Sequence, residues 1–248
     1  MKTILLAMAF CLGVALSAIG TPLDQYNQAN ELYRQGQYPQ AREAYQQVVE
    51  AGVRDPQVYY NLGNACFKAG HLGEAVLWYE RALRLAPRDA DIRANLHYAQ
   101  QLRLDKVSEA TGPARWLEDL YLFPTLDELC LLFNVFFMAT CGLGGWRLWR
   151  RTTWSAWWQS WLLVASISLA TGTGAYLGTR LYGQAQARVV ALAAEVTARS
   201  APDLLETAVF VVHEGTCLLL ARSEGDWVLV RLPSGLGGWV PADTVERI

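Results

Sequence analysis

The chain has 248 residues, a net charge of −2 and 52% apolar side chains. A balance this close to neutral lacks the basic face of a nucleic-acid binder, which excludes that partner class. The apolar excess gathers at the N-terminus and between about 129 and 179, leaving two polar blocks, so the composition is that of a membrane protein with soluble parts.

The first residues carry one charge, Lys2, and then an apolar run that ends in small residues at Ala18-Ile19-Gly20. This is the form of a secretory signal peptide over 1–20, with export of the chain from Thr21 onward; an uncleaved anchor is the alternative and gives the same export.

Residues 22–104 have helical periodicity and repeat themselves at an interval of 34 residues. Gly36-Gln37-Tyr38 with Ala41 and Tyr45 recurs as Gly70-His71-Leu72 with Ala75 and Tyr79, and Asn27, Asn61 and Asn95 keep the same interval. The second copy closely resembles the tetratricopeptide repeat at Tyr59, Leu62, Gly63, Gly70, Leu72, Ala75, Tyr79, Ala82 and Pro87. The resemblance implies helix pairs over 22–55 and 56–89 and a capping helix over 90–103. Gly63 and Ala75 are small where helices cross, and Pro87 ends the second helix. It also implies a concave peptide-binding face made by Tyr26, Asn30, Tyr33, Arg34, Tyr60, Asn64, Phe67, Lys68 and Tyr98. On the other reading these aromatics are part of the core and the asparagines cap locally. Two repeats fall short of the three that usually form a self-sufficient stack, so docking on a partner or on the membrane is expected.

A juxtamembrane linker over 105–124 contains the Gly112-Pro113 break and an apolar face with Trp116, Leu117, Leu120 and Tyr121. Residues 129–146 then carry no charge, nor do 152–179, which places transmembrane helices at 127–148 and 157–179 around a loop over 149–156. Arg147, Arg150 and Arg151 lie between the spans, whereas Glu118, Asp119, Asp127 and Glu128 precede the first. The positive-inside rule therefore puts the loop in the cytoplasm and both soluble blocks on the extracytoplasmic side of a bacterial inner membrane. Ser166, Ala170, Gly174 and Gly178 form a small-residue stripe suited to close helix packing. Its partner is either the first span, through Cys141 and Gly145, or a helix of another subunit.

From 187 onward short β-rich runs are separated by Glu214-Gly215, Glu224-Gly225-Asp226 and Ser234-Gly235. His213-Glu214-Gly215-Thr216, the run from Gly225 to Leu232 and the C-terminal Gly-Gly-Trp segment resemble the bacterial SH3-like barrel, with Trp227 and Trp239 as core or rim. The fold class expected is a multi-domain membrane protein: an all-α repeat module, two transmembrane helices and a small all-β barrel. The cysteines form no framework, and no histidine has a nearby partner suited to metal or nucleophilic chemistry. No catalytic residue, cofactor or metal is expected, and the chain is read as a non-enzymatic protein.

The order of signal, repeats, arginine-looped hairpin and barrel resembles the BatE-type proteins of Bat (aerotolerance-related) operons. That resemblance implies a membrane scaffold that binds a protein or peptide segment beside von Willebrand A-domain proteins and a MoxR-type ATPase in envelope stress. The alternative is a peptidoglycan-binding anchor acting through the barrel.

Overall fold

A computed structural model describes residues 21–105, 117, 120–150 and 157–248. The expected signal peptide, most of the linker and the loop residues 151–156 lie outside the described residues. The chain divides into two compact units. One joins the segment ending at Val107 with Arg188–Ile248, and the other is Ser108–Ala187. The helical block and the β-rich block, far apart in sequence, thus belong to one folded body.

Five helices run in order through the first part of that body: α1 (Pro22–Arg34), α2 (Tyr38–Glu50), α3 (Pro56–Lys68), α4 (Leu72–Leu85) and α5 (Ala90–Gln101). Local chemistry sets their starts. Thr21 and Asp24 form a reciprocal capping box at α1, while Asp55 and Asp89 accept from the first free N–H groups of α3 and α5. Both α1 and α3 end at a glycine in the left-handed region, Gly36 at φ 76° and Gly70 at φ 88°. There the amide of the next residue turns back to satisfy a carbonyl of the last turn (His71 to Cys66, 2.9 Å). Gly63 meets Tyr79 so closely that a Cβ would lie 2.7 Å from its ring. The crossing therefore requires the small residue that the repeat pattern puts there.

The second part is a seven-stranded antiparallel sheet. Its strands are β1 (Arg188–Ala191), β2 (Glu195–Arg199), β3 (Ala208–His213), β4 (Cys217–Glu224), β5 (Trp227–Arg231), β6 (Gly237–Pro241) and β7 (Val245–Arg247), with a 3₁₀ turn at Ala242–Thr244. Their order across the sheet is β3-β2-β6-β5-β4-β1-β7. The core is built from valines and small residues, including Val189, Val196, Val212, Val230 and Val240, and both tryptophans are only half-buried.

Strand β1 joins the two blocks. Successive side chains of a strand point to opposite faces, and here both faces are covered. Val189 and Ala191 enter the sheet core, while Val190 joins the helical core with Leu62, Val76, Leu77 and Tyr79. That double burial matches the unbroken apolar run Val189-Val190-Ala191-Leu192, which does not alternate as a half-exposed strand would.

In the other unit, α6 (Leu126–Arg150) and α7 (Trp157–Ala185) form an antiparallel hairpin. Both are long and apolar enough to cross a membrane. Ser166 and Ala170 of the small-residue stripe are buried, and Gly174 lies under the Phe133 ring. Thr140 donates to Ser166 at 3.1 Å. The face of α6 that meets the stripe is thus the one with Phe133 and Thr140. Gly145 and Gly178 have no neighbour where a Cβ would stand, and Cys141 is exposed. Asn134 satisfies itself on the Cys130 carbonyl within its own helix (2.8 Å). At the opposite end of the hairpin from the arginines, Arg180 donates to the carbonyls of Tyr121 (2.9 Å) and Pro124 (3.0 Å), which pins the start of α6 to the end of α7.

Candidate functional site

The 34-residue repeat reappears as repeated chemistry. In the first copy, the Tyr45 hydroxyl donates to Asn30 Oδ1 at 2.6 Å, and Asn61 Nδ2 reaches Tyr26 Oη at 2.9 Å and Asn30 Oδ1 at 3.4 Å. In the second, Tyr79 donates to Asn64 Oδ1 at 2.7 Å, and Asn95 Nδ2 reaches Tyr60 Oη and Asn64 Oδ1, both at 2.9 Å. Each quartet ties the two helices of one repeat to the first helix of the next. Asn27, the first member of the 34-residue series, is exposed.

Tyr45 and Tyr79 are almost fully buried. Burial, reinforced by neighbouring tyrosines, pushes both phenols far above their ordinary value, so they remain donors. Each asparagine oxygen at the centre of a quartet is therefore occupied from two sides. An amide has two further N–H donors on its nitrogen, and those of Asn30 and Asn64 are not used in the quartets.

These groups line two adjoining recesses on the side of α1, α3 and α5. Asn30, Tyr33, Arg34 and Asn64 border one, with Tyr45 and Asn61 behind. The other, of about 310 Å³, is bordered by Tyr33, Tyr60, Asn64, Phe67, Lys68 and Tyr98, with Tyr79 and Asn95 completing it. Tyr33 and Asn64 belong to both, so the recesses form one groove. Tyr26 lines neither recess; its hydroxyl supports Asn61. Phe67 and Tyr98 approach at 5.6 Å between ring centroids and wall one end. Arg34 is paired with Glu31 at 3.2 Å on the same helix turn.

The quartet residues Tyr45, Tyr79, Asn61 and Asn95 were not among the expected site residues. Their signal was the interval itself, shared by the asparagines and by the two tyrosines.

The β-domain approaches from the α4 side. Gly73 on α4 faces β1, where a Cβ would stand 2.8 Å from the Ala191 carbonyl oxygen and 3.1 Å from Leu192 Cα. His71 provides no side-chain cap for α4. Instead Glu214, from the β3–β4 turn, accepts the Gly73 N–H at 3.2 Å, so a carboxylate from the β-domain stands at the positive end of the helix. Arg81 bridges to Glu246 at 2.8 Å, and Arg188 to the buried Glu80 at 3.2 Å.

After α5, Asp105 clasps the same turn. Its carboxylate accepts the His213 N–H at 2.6 Å, Thr216 Oγ1 at 2.8 Å and the His213 ring at 2.9 Å. Because a carboxylate only accepts, His213 Nδ1 carries the proton. Burial alone would raise the Asp105 carboxyl, but these bonds outweigh it and hold the group below its ordinary value. None of these docking residues borders the groove.

Among the described residues no group of histidine, cysteine and acidic side chains is placed to hold a metal ion. Cys66 and Cys217 are free thiols whose burial raises them well above the ordinary range, Cys217 to about 12, so neither is poised as a nucleophile. Residues 26–90 match the tetratricopeptide repeat family, whose members are protein-interaction modules. Among curated proteins none matches the chain.

Proposed function

We propose that this protein is a non-enzymatic scaffold anchored by a membrane hairpin, with a repeat groove that binds an extended segment of another protein. The observation that carries this reading is the pair of quartets, which orient Asn30 and Asn64 identically at the floor of one groove. Their unspent donors, with Arg34 and Lys68 at the rim, match a ligand rich in carbonyl or carboxylate oxygens.

The hairpin crosses the bacterial inner membrane with its arginine loop in the cytoplasm, so the repeat and β-domains share the extracytoplasmic side. Their packing into one body supports this, since both must then lie in the same compartment. The β-domain is an SH3-like barrel, a reading supported by its strand order and the 3₁₀ turn before the last strand. It completes the repeat stack by covering α4, and so makes up for a repeat number below the usual minimum. In a Bat-type envelope system the partners of such a scaffold are von Willebrand A-domain membrane proteins and a MoxR-type ATPase.

A photo-crosslinking residue at Lys68, in the full-length protein in native membranes, tests the groove. The expected product is a defined protein adduct that is lost on Asn64→Ala and absent when the crosslinker stands at Gln46, outside the groove. Capture of nothing at position 68, or equal capture at 46, would overturn it.

A further inference from the structure

At the arginine end of the hairpin, α6 and α7 separate around a cavity of about 580 Å³, within the ~300–1,000 Å³ of small-molecule pockets. Its inner part is apolar: Gly142 and Leu143 on α6 face Leu162 and Leu163 on α7. A Cβ at Gly142 would meet nothing within 4 Å, so a larger side chain there can extend into the recess. Its outer part is polar and aromatic, with Arg147 and Trp146 opposite Trp158 and Gln159. Ser160 accepts from Arg147 at 3.0 Å and keeps the guanidinium at this mouth.

The charge balance is one-sided. Arg147 stands at this mouth, and no Asp or Glu occurs in the sequence between positions 129 and 194. An apolar recess one helix turn inside a cationic, donor-bearing mouth is the complement of an anionic amphiphile.

We infer that this groove binds an anionic phospholipid, with an acyl chain along Gly142, Leu143, Leu162 and Leu163 and the phosphate at Arg147 and Gln159. The two tryptophans flank the phosphate level, where an amphipathic ring is best accommodated. The inference rests on the membrane-hairpin reading.

The test is native mass spectrometry of the full-length protein reconstituted with equal phosphatidylglycerol and phosphatidylcholine. Wild type is expected to retain phosphatidylglycerol preferentially. Arg147→Gln is expected to lower that preference roughly fivefold, the equivalent of about 1 kcal/mol per basic group at a membrane surface. Gly142→Leu, which fills the recess, is expected to remove bound lipid of either kind. Gly178→Leu, also in open space but on another part of α7, is the folding control and is expected to retain lipid as wild type does. Equal retention of both lipids, unchanged retention by Gly142→Leu, or a dimer that occupies the groove without lipid would each overturn the inference. Sodium carbonate extraction separates this from failure of the reading beneath it. Release of the protein by carbonate overturns both, whereas a carbonate-resistant protein without lipid preference overturns the lipid site alone.

Discussion

Gly73→Ala tests the docking of the β-domain on the repeats. The added methyl would stand 2.8 Å from the Ala191 oxygen and 3.1 Å from Leu192 Cα, both backbone atoms that no rotamer change can move aside. Overpacking of this kind costs about 1–3 kcal/mol, while alanine returns up to about 1 kcal/mol of helix propensity. The expected net weakening of the interface is about 1–2 kcal/mol. The Ala191 oxygen that the methyl would strike also accepts the Gly215 N–H at 2.8 Å, so the collision is transmitted to the turn that carries Glu214. Amide exchange of Gly215, followed in the full-length protein, should accelerate about 5- to 30-fold, with the amides of β5 and β6 unchanged. Unchanged or slower exchange at Gly215 in a folded variant would refute the reasoning, because helix propensity would then be the larger effect.

The Asp105 clasp gives a pH dependence with a definite sign. A carboxyl held below its ordinary value stabilises the docked state above the unfolded pKa near 4 and loses that contribution as pH falls through its own lower value. Exchange at Thr216 should therefore accelerate below about pH 4 in wild type and show no such step in Asp105→Ala, whose loss of partners for the fully buried Thr216 costs about 1–3 kcal/mol at neutral pH. In the quartets, Asn64→Ala strands the buried Tyr79 hydroxyl and should cost about 1–3 kcal/mol, more than Tyr79→Phe, which deletes the donor and leaves Asn64 bonded to Asn95, at about 0.5–1.5 kcal/mol. Thermal melts of both variants check the order, and equal costs would mean that water replaces the missing amide. Alkylation at pH 8 should leave Cys66 and Cys217 unmodified until denaturant is added, read by peptide mass, since burial holds both thiols protonated.

Much of the architecture was legible because its signals are local. The 34-residue interval places Gly36 and Gly70 at the helix ends, and Gly63 where Tyr79 crosses. Charge-free runs delimit two helices, although α7 continues to Ala185, past the expected end at 179. The Gly215, Gly225 and Gly235 turns are all at positive φ, as punctuation between strands requires. First-helix positions recur with the repeat, which brings Asn30, Tyr33, Asn64 and Phe67 to one side, whereas Tyr26 lines neither recess.

Which donors that face keeps free was not readable, since it depends on whether Tyr45 and Tyr79 spend the asparagine oxygens from behind. The stripe on α7 identified a packing surface but not its counterpart, because small residues fit many faces. Phe133 and Thr140 meet it in the folded hairpin, a property of the pair and not of either sequence.

The sequence by itself determined the repeat helices, the two long apolar helices and the turn-bounded strands, all set by periodicity, hydropathy and backbone preference over a few residues. Only the tertiary structure decided that the C-terminal sheet packs on the repeat helices. That contact joins Gly73 to Ala191, Glu80 to Arg188 and Asp105 to His213, each pair separated by more than a hundred positions. Such pairings carry no periodic signal, because their energy appears only when both surfaces have folded and leave water together.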